Sequence, residues 1–124
     1  MAISPDDVRR LAGALSEADD ASEGGSLDFQ IAGKSFAWTW MVREAPRKPR
    51  TPRLDVLAVR CPIERKEMLI RAAPAVYFDE PHYRGYPAVL VRLDEIDEAE
   101  LSGLIRQAVE TLTAARPRVR KARA

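Results

Sequence analysis

His82 is the one histidine in the chain, and its ordinary pKa suits proton transfer near neutral pH. It stands between Pro81 and Tyr83 in the segment 79–87, DEPHYRGYP. Acid–base catalysis needs fixed partners, and no GxSxG, HExxH or Cys–His signature accompanies it. His82 therefore reads as a turn residue whose ring bonds a backbone group. Cys61 is the one cysteine; it follows an apolar run, precedes Pro62, and reads as a small buried hydrophobe. Two such residues cannot supply an ordinary tetrahedral zinc site. The acids Asp94, Glu95, Asp97, Glu98 and Glu100 are accounted for by helix capping and the helix dipole. No catalytic residue, cofactor or metal is expected.

The chemistry that remains is recognition. Arg43, Arg47, Lys48, Arg50 and Arg53 lie in one stretch with no acid after Glu44, a cluster able to neutralise phosphates. Arg116, Arg118, Arg120 and Lys121 form a second basic run at the C-terminus, and Arg84 adds a base within the 79–87 segment. Tyr83 and Tyr86 flank Gly85 and, with His82, offer a ligand or partner contact, since aromatic faces stack on nucleobases. The competing role for the two tyrosines is to close the sheet edge around a glycine turn. Phe36, Trp38 and Trp40 alternate along a strand-like run, so a regular strand puts them on one face and Ala37, Thr39 and Met41 on the other. Such an aromatic stripe reads as core. If helices cover the smaller face instead, the stripe is exposed and needs a partner chain or a ligand.

These residues need positioning elements. Ser4 as N-cap, Pro5 in the first turn and Asp6 and Asp7 behind it start a helix whose apolar face is Val8, Leu11, Ala12 and Leu15. Residues 16–26 are polar, contain Gly24-Gly25, and read as a loop. Leu27, Phe29 and Ile31 alternate with polar residues, and Gly33-Lys34 separates this run from SFAWTWMV, predicting a hairpin over 27–42. Pro46, Pro49 and Pro52 make 43–53 a projecting loop. Strands are expected over 54–61, 75–78 and 88–93, and a second helix over 63–73. The third helix starts at Asp97 with Glu100 three residues on, and Leu101, Leu104, Ile105, Ala108, Val109 and Leu112 hold its apolar face. Residues 1–115 are read as a single domain and 116–124 as a disordered basic tail. The element order implies an α+β fold, an antiparallel sheet of about five strands with helices packed on one face.

Charge sharpens the picture. The net charge is +1, yet residues 1–28 carry −5, residues 43–53 carry +4 and residues 116–124 carry +5. Attraction to a polyanion must come from those two basic segments. The 124 residues suffice for one core without disulfides or metal. No apolar run is long enough for a membrane helix, and no basic-then-apolar start suggests a signal peptide. With a single cysteine, this favours the cytoplasm.

The run 74–78 followed by PHYRGYPAVLVRL at 81–93 resembles the signature segment of the MmcQ/YjbR family. GKSFAW at 33–38 resembles that family's first hairpin, and the helical ending DEAEL at 97–101 fits in order and spacing. The resemblance covers residues 4–114. It implies a small α+β domain with a CyaY-like (frataxin-like) sheet and a DNA-binding label that rests on a double-wing arrangement of loops. Two features depart from it. Val109 stands where members often carry Trp in the last helix, and the Pro/Arg-rich segment 46–53 is more elaborate than the usual linker. The function expected is non-enzymatic: weak, salt-dependent, sequence-independent DNA binding through phosphate contacts of the basic loop and tail. The alternative is a protein-interaction or homodimerising module that uses an exposed aromatic sheet face or the PHYRGYP turn.

Overall fold

The computed structural model describes residues 3–15, 18–23, 26–42, 47, 49 and 51–115. The first helix, α1 (Pro5–Gly13), begins as its sequence dictates. The Asp7 amide donates to Ser4 Oγ at 3.2 Å and the Ser4 amide donates to Asp7 Oδ2 at 3.0 Å, so two otherwise unpaired donors are satisfied reciprocally. Val8 and Ala12 are buried, while Leu11 and Leu15 pack along the edge of the core.

Six antiparallel strands follow: β1 (Asp19–Asp20), β2 (Asp28–Ile31), β3 (Lys34–Val42), β4 (Thr51–Arg60), β5 (Tyr77–Phe78) and β6 (Ala88–Arg92). They lie in the order β1-β2-β3-β4-β6-β5. The helix α2 (Ile63–Ala72) joins β4 to β5, and α3 (Glu98–Ala115) ends the fold. Asp97 starts α3 by accepting from the Glu100 amide at 2.8 Å. The architecture is α+β, with six strands where about five were expected. The extra strand is β1, inside the stretch read as a loop over 16–26. Its acidic residues carry no hydrophobic alternation, and it forms by backbone pairing of Asp19 and Asp20 with Gln30 and Phe29.

Two boundaries move for physical reasons. The hairpin turn is Ala32-Gly33 rather than Gly33-Lys34. Both residues have positive φ (52° and 80°), and Ile31 pairs directly with Lys34. A two-residue turn of this hand matches the strand twist and needs positive φ at both central positions. The projecting loop also ends earlier, because Thr51, Pro52 and Arg53 already pair with Val42, Met41 and Trp40. Proline is tolerated there because β6 reaches along β4 only from Val56 onward, leaving Pro52 on a locally exposed edge.

The aromatic stripe is split. Phe29 pairs with Ala37 and Gln30 pairs with Ser35, so Phe36 is an extra residue on β3. This bulge turns Phe36 into the helix-side core together with Ala37, where it meets Phe29 at 6.4 Å between ring centroids. Trp38 and Trp40 fall on the opposite face, only half-buried. The helices thus cover the smaller face, and the expectation that the whole stripe is core is corrected for both tryptophans. On the covered face Leu57, Val59, Val89, Val91 and Tyr77 meet Leu101, Leu104, Ile105, Ala108 and Leu112 of α3. From α2, Leu69 and Ile70 join the edge of this core, whereas Met68 is 57% exposed.

Candidate functional site

The helix-free face of the sheet brings Arg53, Arg60 and Arg92 together with five aromatic side chains. Val56, Ala58 and Leu90 form its buried floor, and Trp38, Trp40, Phe78 and Tyr83 pack around them. Strand pairing sets the row. Trp38 lies opposite Ala58, Ala58 opposite Leu90, and Leu90 opposite Phe78. The segment between β5 and β6 then folds over this row. A 3-10 turn at Pro81–Tyr83 and positive φ at Gly85 (78°) bring Tyr83 and Tyr86 above Trp38. Gly85 is required by that backbone conformation.

At one end Trp38, Tyr83 and Tyr86 form a three-ring group. Trp38 Nε1 donates to the Tyr83 hydroxyl at 3.0 Å, with the two rings near-parallel and 6.5 Å apart. Tyr86 stands edge-on to both, 6.5 Å from Trp38 and 6.0 Å from Tyr83. Arg60 lies 5.9 Å from the centroids of both Trp38 and Tyr86, held by its Nε donating to Ser35 O at 2.8 Å. At the other end Trp40 meets Phe78 at 5.6 Å, Arg53 lies over Trp40 at 5.7 Å, and Arg92 lies over Phe78 at 4.1 Å. Cation–π attraction adds to the hydrogen bonds that hold these guanidinium groups, from Arg53 to Asp55, Arg60 to Ser35 O and Arg92 to Pro74 O.

The fold supplies the anchor for this face from α2. Lys66 is 3% exposed, and its Nζ donates to the carbonyls of Tyr83 and Tyr86 and pairs with Asp79 at 3.0 Å. One buried cation thus ties both ends of the tyrosine turn to a helix. Lys66 carries no expectation from the sequence, although it interrupts the apolar spacing of Ile63, Leu69, Ile70 and Ala73, which is the signal that could have marked it. Arg60 and Arg92 are likewise new to the site. Alternation places them with Trp38 and Trp40 only once the strand register is known.

The basic residues expected to bind phosphate fare differently. Arg53 belongs to β4 rather than to the loop, and Asp55 binds it through two hydrogen bonds of 2.9 and 3.0 Å. Those bonds, ahead of simple charge attraction, hold the Asp55 carboxyl below its usual range. Arg47 and Arg84 are exposed in turns. Arg43, Lys48, Arg50, Arg116, Arg118, Arg120 and Lys121 lie outside the described residues, as does the tail from 116 to 124. His82 sits in the 3-10 turn beside Tyr83. Tyr83 and Tyr86 cover the sheet face instead of closing its edge. Cys61 is buried as expected, and burial pushes its thiol up to about 11. Among the described residues no cluster of three or more His, Cys, Asp or Glu could hold a metal ion, and no helix is long and apolar enough to cross a membrane.

Beside the three-ring group runs an open groove of about 860 Å³, lined by Trp38 and Thr39 of β3, by Glu23, Leu27 and Asp28 at the approach to β2, and by Tyr83, Tyr86 and Arg60. Such a surface can stack a planar group and attract an anion.

Comparison with known proteins agrees with the resemblance read from the sequence. The chain is 39% identical over 110 residues to uncharacterised proteins of Mycobacterium tuberculosis and Mycobacterium bovis, covering 83% of this chain and 83% of theirs. Its fold is similar to the crystal structure of a Deinococcus radiodurans protein with a DUF419 domain, at a TM-score of 0.65 and 23% identity, covering 90% of this chain and 80% of that one. The family model described as YjbR matches residues 13–110, and the chain belongs to the YjbR family.

Proposed function

We propose that this protein is a non-catalytic domain that binds DNA weakly and without sequence preference. Its contact surface is the helix-free sheet face together with the basic segment that leads into β4. The observation that carries the reading is the alignment of Arg53, Arg60 and Arg92 on aromatic rings of one uncovered face. A guanidinium laid on a ring can turn its remaining N–H groups to phosphate oxygens; Asp55 takes Nε and Nη2 of Arg53, the Pro74 and Ala75 carbonyls take Nη1 of Arg92, and Ser35 O takes Nε of Arg60. Arg53, the last base of the +4 segment 43–53, lies on the same face. Among the described residues no recognition helix is offered to a groove. The helices α1, α2 and α3 are short, packed on the core, or acidic at their starts, which supports contacts that read phosphates and not bases of a duplex.

The test is a salt titration of binding to a short duplex. Affinity should fall with a log–log slope of about −0.9 per phosphate neutralised. Replacing Arg47, Lys48 and Arg50 together by Gln should flatten the slope by roughly 2–3 units if all three touch phosphates. Removing residues 116–124, which carry five charges, should flatten it by no more than about 4.5 units. A slope unmoved by both changes removes the loop and tail from the interface. A second reading, homodimerisation through the same face, is favoured by the half-buried Trp38 and Trp40 and the 42% exposure of Tyr86. Light scattering separates the two: a dimer indifferent to DNA supports the second.

A further inference from the structure

We propose that the groove beside Trp38 and Tyr86 receives one unstacked base of single-stranded DNA, with the neighbouring phosphate on Arg60. This rests on the DNA-binding reading and names its preferred substrate.

The argument begins with what the groove offers. At about 860 Å³ it lies within the size range of small-ligand clefts, and it is open at the top. Its aromatic wall is a corner, since Trp38 and Tyr86 stand at 79° to each other. A base stacked on one ring meets the edge of the other, the two favourable geometries for π-systems. Tyr83 cannot swing away from this corner without losing its bond from Trp38 Nε1, and Lys66 holds the backbone on both sides of it. The surface is therefore preorganised, which lowers the entropic cost of binding.

Charge complementarity identifies the occupant. Among the described residues, Arg60 uses only Nε on a protein acceptor, Ser35 O. Its guanidinium is tethered there beside Lys34, the other cation of the groove. The acids Asp28 and Glu23 stand along the β2 side. Asp28 accepts from Ser35 Oγ at 2.7 Å and from Gln30 Nε2 at 3.1 Å, so both of its oxygens are engaged within the protein. The groove thus has the cations Arg60 and Lys34 for a phosphate and aromatic rings for a base. A duplex cannot use it, because paired bases hide both faces in the stack. A single strand presents them freely.

The experiment compares fluorescently labelled dT10, an abasic ten-mer of the same charge, and the dT10·dA10 duplex by anisotropy at one salt concentration. dT10 should bind about tenfold tighter than the other two, the effect of one base–aromatic stack. Tyr86→Ala should remove that advantage and Tyr86→Phe should keep it. The Tyr86 side chain is exposed, and a matching unfolding curve for Tyr86→Ala checks that the variant folds. Arg60→Gln should weaken dT10 and leave the ratio of dT10 to abasic strand unchanged. Equal binding of all three probes with a silent Tyr86→Ala overturns the base site and leaves the DNA-binding reading standing. Absence of binding by every probe overturns that reading itself.

Discussion

Replacing Lys66 by Met tests whether a single buried cation holds the tyrosine turn over the sheet. Methionine keeps the length and most of the volume of the lysine stem, so packing on α2 changes little. What is lost is the ion pair with Asp79 and two bonds to the carbonyls of Tyr83 and Tyr86. Breaking a buried ion pair from one side costs about 3–5 kcal/mol. The Asp79 side chain is 27% exposed and regains water when abandoned, and the desolvation of the lysine itself is relieved, so the lower end of that range applies. The expected loss is about 3 kcal/mol, or a fall in Tm on the order of 10 °C. Urea unfolding measures the first and a thermal scan the second. The Trp38 environment should change in the folded state as well, because its hydroxyl partner Tyr83 sits on the released turn. A double-mutant cycle with Asp79→Asn should show positive coupling, since the second change costs little once Lys66 is gone. A loss below about 1 kcal/mol, with unaltered hydrogen exchange at Tyr86, refutes the anchoring role.

Three further outcomes follow from the same structure. Leu104→Ala or Ile105→Ala should cost about 2–5 kcal/mol in denaturant unfolding, as truncations in a packed core do, and a cost below about 1 kcal/mol for both contradicts the docking of α3. Ala32→Gly should stabilise the protein by up to about 1 kcal/mol, because an L-residue at a φ of 52° is strained and glycine is not; a destabilised variant in the same unfolding assay contradicts this account of the turn. Cys61 should resist a thiol reagent at pH 8 until the chain is unfolded. Its thiol pKa is raised by burial from 9.0 to about 11, so the unfolded chain loses a proton that the folded one keeps. The associated stability is complete below pH 9 and falls as pH climbs toward 11, and Cys61→Ala should abolish that part of the alkaline loss.

What could be read in the sequence, and what could not, divides by the range of the interaction. Capping chemistry is local, so Ser4, Pro5, Asp7 and Asp97 marked their helix starts correctly. Periodicity is nearly local, so Leu27, Phe29 and Ile31 and the α3 face were found on the covered side of the sheet. The strand β1 was missed because its stability comes from pairing with β2 rather than from its own side chains. The extension of β4 back to Thr51 was hidden by proline, whose exclusion from strands applies only where both neighbours are present.

The candidate site was legible in its residue types and not in its arrangement, and one extra residue explains the difference. Without the bulge at Phe36, the three aromatics of β3 would share a face, and helix coverage of that face would bury both tryptophans. With it, the two faces of β3 exchange roles at that point. Phe36 joins the core, and Trp38 and Trp40 come out opposite the helices, in register with Ala58 and Arg53 of β4. A second offset, which leaves Leu54, Asp55 and Val56 unopposed on β4, carries Arg53 onto Trp40. Period-2 reasoning assumes an unbroken ladder, and each irregularity resets the parity that it depends on. The arginine–aromatic face is the product of those two resets. Arg60, a residue with no distinguishing neighbour in LDVLAVRC, thereby becomes the cation beside the three-ring corner.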